Sequence, residues 1–156
     1  MTVNALIIKL NSLFTALEDI YYLNEGGCCH VAYLVAKELE KRNLNNFILR
    51  VYNDFVLDKE LCFINIENNY DAFPIHSDTA IHYVLVYNNI EINPGNILEG
   101  MKYINLHGID SCFISKICKK GDWNCMFDTN NLIFIRRFIK IIFLTIFKGF
   151  VNKNAY

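Results

Sequence analysis

The most informative segment of this chain is Gly26-Gly27-Cys28-Cys29-His30-Val31-Ala32, because it places a cysteine where a helix is predicted to begin. The glycine pair interrupts the preceding helical pattern, and apolar residues then recur at three- and four-residue steps as far as Leu39. We therefore predict a helix over residues 28–42 that buries one face. A helix start offers a positive dipole end and unpaired backbone amides, which favour a thiolate nucleophile.

The segments on either side of this helix predict a mixed α+β fold. Apolar residues repeat with helical spacing before the glycine pair, and a long apolar segment with scattered cations ends the chain. We predict helices over 3–21 and 132–151, and strands over 47–52, 62–66, 81–87, 90–93 and 101–106. Asn88-Asn89 predicts a tight antiparallel hairpin, because asparagine tolerates positive φ. Residues 108–123 show no clear period and give no assignment.

Composition and length narrow the class of protein. The chain has 156 residues, is 53% hydrophobic, and carries 15 basic against 16 acidic residues. This composition excludes a disordered tail, and the charge balance does not indicate a surface that binds nucleic acid. From the length we predict a single domain over residues 1–156. Six cysteines are too few for a secreted disulfide scaffold, and no secretory signal pattern opens the sequence, so we expect reduced thiols in a cytoplasmic setting.

A histidine and an amide follow the cysteine in the order that a thiol enzyme requires. His82 opens one predicted strand and Asn93 closes the next, which would pair Asn93 near Val84 or Tyr83 across the hairpin. A histidine acting as general base needs a third group that fixes its tautomer, and an asparagine oxygen can do so. Cys28 shares the apolar face of its helix, whereas Cys29 points about 100° away, which favours Cys28 as the nucleophile.

The pattern Gly26-x-Cys28-x-x-x-Ala32, followed by His82 and then Asn93-Pro94, resembles the papain-like superfamily of thiol enzymes, closest to its small transglutaminase-like and NlpC/P60-like branches. The resemblance covers residues 24–94, and small phage-encoded proteins carry similar openings. It implies a central helix carrying the cysteine, packed on an antiparallel sheet and flanked here by N- and C-terminal helices. It also implies Cys28 as nucleophile, His82 as general base and then acid, and Asn93 as orienting residue.

The resemblance leads us to expect a cysteine hydrolase, a peptidase or amidase that cleaves an amide or isopeptide bond through an acyl-thioenzyme. Transglutaminase-like enzymes usually have an aspartate at the position of Asn93, whereas papain-like peptidases use asparagine, so hydrolysis is favoured over acyl transfer. Two alternatives remain open. One is a transglutaminase-type acyltransferase, and the other is a non-enzymatic viral or cellular binding or inhibitor protein that retains the fold.

The expected partner is a peptide or another amide-containing substrate, with no cofactor, no nucleic acid and no transmembrane segment. A zinc site is disfavoured, because Cys112, Cys118 and Cys125 are six and seven positions apart rather than in close pairs. The C-terminal helix carries cations beside a large apolar face. Packing in the core or at a partner interface is the main prediction for it, and contact with a membrane surface is the alternative.

Overall fold

The computed structural model describes residues 2–21, 27–53, 81–93, 95, 97, 101–120 and 129–151. The described helices are α1 (Val3–Tyr21), α2 (Cys28–Glu40), α3 (Ser111–Lys120) and α4 (Thr129–Val151). The described strands are β1 (Phe47–Asn53), β2 (Ile81–Tyr87), β3 (Ile90–Ile92) and β4 (Lys102–Leu106). The predicted α+β class is therefore confirmed for this part of the chain.

The four strands form one antiparallel sheet in the order β3-β2-β1-β4. β1 and β2 pair without interruption from Phe47 opposite Tyr87 to Asn53 opposite Ile81. β4 pairs with the other edge of β1, and β3 pairs with the free edge of β2. The antiparallel sheet expected from the alternating apolar pattern is confirmed, and β3 and β4 are the edge strands of the sheet that the described residues form.

Helix α2 is the central helix and packs on β2, α3 and α4. Its buried side includes Val31, Val35 and Leu39, each at most 1% exposed. The strand side chains in the same hydrophobic core are Phe47, Leu49, Val51, Tyr83, Leu85, Tyr87, Ile92 and Leu106. We call this side of the sheet the helix face. Because strand side chains alternate, the other side, here the second face, carries Arg50, Tyr52, His82, Val84, Val86, Glu91, Tyr103 and Asn105.

Helix α2 ends two residues before the predicted position, and the turn that follows explains the stop. Asn43 adopts a left-handed φ of 58°. Its N–H donates to the Glu40 carbonyl at 2.9 Å, and the Leu44 N–H donates to the Leu39 carbonyl at 3.1 Å. These two bonds have the pattern of a Schellman motif, in which asparagine replaces the usual glycine.

The hairpin between β2 and β3 forms at the predicted residues. Asn88 and Asn89 have φ values of 50° and 62°. Positive φ at both central positions is the geometry of a type I′ turn, whose twist matches that of the flanking strands. The turn therefore sets the register in which Tyr87 pairs with Ile90 and Leu85 with Ile92.

Helix α1 lies against the β3 edge of the sheet and also contacts α4. The Asn11 side-chain amide donates to the Glu91 carbonyl at 2.7 Å, and its oxygen accepts the Asn93 N–H at 2.7 Å. A single asparagine thus supplies both a donor and an acceptor to the backbone of an edge strand. This pairing fixes α1 to the sheet beyond the packing of Leu10 and Phe14 in the core.

Helix α3 lies in the region where the sequence gives no assignment. Its first turn is capped by Asp110, whose carboxylate accepts the Phe113 N–H at 2.7 Å. The Glu40 carboxylate at the end of α2 accepts the Ser111 N–H at 2.6 Å and the Ser111 hydroxyl at 2.5 Å. The two helix ends are therefore joined directly. The predicted strand over 62–66 lies outside the described residues.

Candidate functional site

Cys28 is the first residue of α2, as predicted, and follows Gly27 directly. Gly27 is the N-cap residue, has a φ of −83° and brings no side chain of its own to cap the first turn, and the positive end of the helix dipole lies at this cysteine. The Cys28 side chain is 2% exposed and belongs to the hydrophobic core. A helix start favours a thiolate, whereas an apolar enclosure opposes it. Cys28 therefore lies at the predicted helix start, with its side chain inside the core.

Cys29 faces a different neighbour, as the helical phase predicts. Its Sγ lies 4.0 Å from the Ile114 carbonyl oxygen, and its side chain has no exposed surface. Cys29 therefore contributes to the contact between α2 and α3. Free Cys behaves as a small hydrophobe in such a setting.

His82 is the second residue of β2 and pairs with Tyr52 of β1. Its neighbour Tyr83 is 1% exposed and belongs to the core that α2 packs against. Strand side chains alternate between faces and the pairing has no interruption, so His82 projects from the second face. Cys28 lies on the helix face of the sheet, where α2 packs. By this alternation the predicted base and the predicted nucleophile start from opposite faces of the sheet. That the two residues act as a catalytic pair stays a prediction.

Asn93 follows β3, and its side chain is 4% exposed. The pair Leu85 and Ile92 extrapolates to Asn93 opposite Val84, which is the register that the sequence predicts. Asn93 itself has a φ of 56°, so the regular alternation of faces ends there. Its backbone is held by Asn11, as described above. Its predicted role in orienting His82 stays a prediction.

The second face carries a polar cluster that the sequence analysis missed, centred on Arg50. Its Nη1 donates to Glu91 at 2.6 Å and its Nε to the Asn105 side-chain oxygen at 2.8 Å. The Arg50 guanidinium also lies 4.2 Å from the centre of the Tyr103 ring. The Tyr52 hydroxyl donates to the same Glu91 carboxylate. One arginine therefore connects β1 to both edge strands.

Protonation states in this cluster follow from its burial and its charges. Burial raises the pKa of Tyr52, and the Glu91 carboxylate raises it further, while Arg50 opposes the change. For Arg50, burial lowers the pKa, but the contacts with Tyr52 and Glu91 outweigh it and the net change is upward. Tyr52 is therefore neutral and Arg50 charged near neutral pH. The hydrogen bonds of the cluster link β1 to β3 and to β4.

A second group of charges lines a small pocket between α2 and α4. The pocket has a volume of about 70 Å³ and is lined by Leu34, Lys37, Glu38, Lys41, Arg136, Ile139 and Lys140. Four of these side chains are cationic and one is anionic. Glu38 is bound by Lys41 at 2.6 Å and by Arg42 at 2.9 Å. Burial raises the Glu38 pKa, but these two cations outweigh it and hold that pKa below 4.5.

Helix α4 buries one side and exposes the other. Ile135, Ile139 and Phe143 are at most 1% exposed and belong to the core. The opposite side carries large exposed apolar side chains together with cations. We call these residues the α4 face: Ile133, Phe134, Arg136, Arg137, Lys140, Ile141 and Leu144. Of the two arrangements expected from the sequence, packing in the core is therefore observed for one side of α4, and packing at a partner interface stays a prediction for the other side.

Within the described ranges, no cluster of three or more His, Cys, Asp or Glu residues could hold a metal ion. None of the helices described is long and apolar enough to cross a bilayer. In comparisons with known proteins, no family model, curated protein or solved structure matches this chain.

Proposed function

We propose that this chain is a non-enzymatic binding protein that acts through the α4 face. The observation that carries the proposal is the exposure of four large apolar side chains on that helix, Ile133, Phe134, Ile141 and Leu144, which are 38% to 62% exposed. A contiguous exposed apolar surface typically marks an interaction site. The charged side chains of the α4 face, Arg136, Arg137 and Lys140, are all cationic, so the surface favours an anionic partner.

The placement of the predicted triad supports a binding role over a catalytic one. His82 projects from the face of β2 opposite to the core in which Cys28 lies. A general base must come within hydrogen-bond reach of the thiol whose proton it takes. On this basis the helix start at Gly27-Cys28 serves to pack α2 in the core, and the thiol acts as a small core side chain.

The second candidate function is the cysteine hydrolase implied by the papain-like resemblance. One observation favours it: a cysteine opens a central helix that packs on an antiparallel sheet, directly after a glycine. In this mechanism Cys28 attacks an amide carbonyl, His82 passes the proton to the leaving amine, and water hydrolyses the thioester. Asn93 orients the imidazole. This mechanism requires a local arrangement that brings His82 to the helix start.

Site-resolved alkylation distinguishes the two functions, because the chain contains its own control thiol. Cys28 and Cys29 are buried, whereas Cys112 on α3 is exposed. For a binding protein we expect iodoacetamide at mildly acidic pH to modify Cys112 roughly tenfold or more faster than Cys28. Peptide mapping by mass spectrometry gives both rates from one sample.

The hydrolase predicts the opposite order, since an activated thiol reacts at acidic pH while an ordinary surface thiol is protonated. Faster modification of Cys28 than of Cys112 would overturn the binding proposal. A Cys28→Ala variant with an unchanged rate at Cys112 confirms that the rates are assigned to the correct sites.

A further inference from the structure

We propose that the α4 face docks on a membrane surface that contains anionic phospholipids, and that the pocket between α2 and α4 receives a headgroup phosphate. This inference rests on the proposed binding function and names its partner. It treats α4 as a helix that lies on the bilayer surface, because no described helix could cross one. Three features of this surface point to such a partner: its charge, its exposed apolar side chains and the pocket beside it.

All the charged side chains of α4 are cationic. Residues 129–151 contain two arginines, two lysines and no aspartate or glutamate. The whole chain has a formal net charge of −1, so this helix is not basic merely because the protein is. Cations interspersed with exposed apolar side chains can bind the headgroups of anionic lipid while the apolar side chains enter the interface. The surface therefore selects for an anionic partner.

The apolar side chains are placed to enter the headgroup region. Ile133 is 46%, Leu144 44% and Ile141 62% exposed. From residue 133 to residue 144 a helix rises about 17 Å, so these side chains form a ridge along the helix instead of a single point. The core holds the opposite side of α4 through Ile135 and Ile139. A rigidly held, convex ridge fits a flat, deformable surface such as a bilayer.

The pocket extends the cationic surface onto α2. Lys37 of α2 and Lys41, the C-cap residue of that helix, line the pocket together with Arg136 and Lys140 of α4, and Glu38 is the one acidic side chain in the lining. The Glu38 carboxylate is already bound by Lys41 and by Arg42, which also packs on the Phe143 ring at 5.0 Å. The lining has a net positive charge, and its two apolar residues, Leu34 and Ile139, are buried. Such a pocket suits one phosphate group, because lysine and arginine bind phosphate through charge-assisted hydrogen bonds.

Vesicle co-sedimentation of the full chain tests the proposal. The probe is a phosphatidylcholine vesicle in which one third of the lipid is phosphatidylglycerol, compared with phosphatidylcholine alone. We expect binding to the anionic vesicles at low salt, little binding to the neutral ones, and release at about 0.5 M sodium chloride, where charges are strongly screened.

Matched variants on α1 and α4 locate the binding surface. Lys140→Gln should weaken partitioning roughly fivefold, and Arg136→Gln with Lys140→Gln roughly 25-fold, since each cation near the surface contributes a similar increment. Ile141→Asn should weaken it by about tenfold, because a large apolar side chain no longer enters the interface. The controls on α1 are Lys9→Gln and Ile8→Asn. Ile8 is a matched position, because it is 61% exposed and Ile141 is 62% exposed. Both control variants should bind as the unchanged protein does.

Several results would overturn the proposal. These are absence of binding to the anionic vesicles, equal losses for the α1 and α4 variants, or binding that does not respond to salt. Saturable binding of inorganic phosphate without vesicle binding would assign the pocket to a soluble anion and would also overturn the membrane assignment. Circular dichroism of each variant checks that it is folded. Slow alkylation of Cys28 with no vesicle binding rejects this inference alone, whereas fast alkylation rejects the proposed function itself.

Discussion

Asn11 ties α1 to the edge strand β3 through two hydrogen bonds, and replacing it by alanine removes both. The bonds join its side chain to the Glu91 carbonyl and to the Asn93 N–H, each at 2.7 Å and partly buried. Each bond contributes about 1 kcal/mol, and the backbone groups left without a partner cost up to about 1 kcal/mol more in total. Alanine recovers roughly 0.5 kcal/mol through its higher helix propensity.

We therefore expect Asn11→Ala to lower the free energy of unfolding by about 2 kcal/mol. For a chain of this size that loss corresponds to a decrease in Tm of roughly 4–8 °C. Urea unfolding followed by circular dichroism measures the free energy, and hydrogen exchange reports whether the Asn93 amide loses its protection. Asn11→Asp keeps the acceptor for Asn93 but places an oxygen against the Glu91 carbonyl, so it should also destabilise the protein.

Ser12→Ala is the matched control on the same helix. The Ser12 hydroxyl donates to the Ile8 carbonyl within α1 at 3.2 Å and is exposed, so its loss should change stability by less than about 0.5 kcal/mol. An Asn11→Ala variant as stable as Ser12→Ala, with an unchanged exchange rate at Asn93, would refute the claim that this side chain anchors β3.

Two further predictions concern charge and backbone conformation. Glu38→Gln should cost about 1–3 kcal/mol at neutral pH, because Lys41 and Arg42 lose their anion. The pKa of Glu38 in the folded protein is below its usual 4.5, so its ion pairs stabilise the fold at pH values above 4.5. This stabilisation is lost as the pH falls through the folded pKa, and the difference in stability between Glu38→Gln and the unchanged protein should then disappear. A difference that persists in acid would contradict this. Asn89→Ala should cost about 1–2 kcal/mol at a φ of 62°, whereas Asn89→Gly should cost nothing, and thermal unfolding of both variants tests the turn geometry.

The sequence predicts the elements that have a strong local signal. The apolar repeat of α1, the helix start at Cys28 and the Asn88-Asn89 turn each act over a few residues, and the structure confirms all three. α3 has a local signal as well, since Asp110 precedes the helix as an N-cap, but ten residues are too few to establish a period beside the loops around them.

The face from which His82 projects could not be predicted in the same way. Alternation requires His82 and Tyr83 to lie on opposite faces, but it does not say which face packs on α2. Both faces of β2 are apolar in sequence, with Tyr83 and Leu85 on one side and Val84 on the other, and all three side chains are buried. Only the tertiary packing of the helix decides between them. The same holds for Arg50, whose partners lie on two other strands.

The orientation of the His82 ring shows whether the helix start at Cys28 is structural or catalytic. Nuclear Overhauser contacts in solution report this orientation without any substitution. For a structural helix start we predict contacts from the His82 ring protons to the side chain of Tyr52, its partner across the strands, and none to the Cys28 β-protons. A strong contact between the His82 ring and Cys28 would contradict the structural role and would favour the cysteine hydrolase.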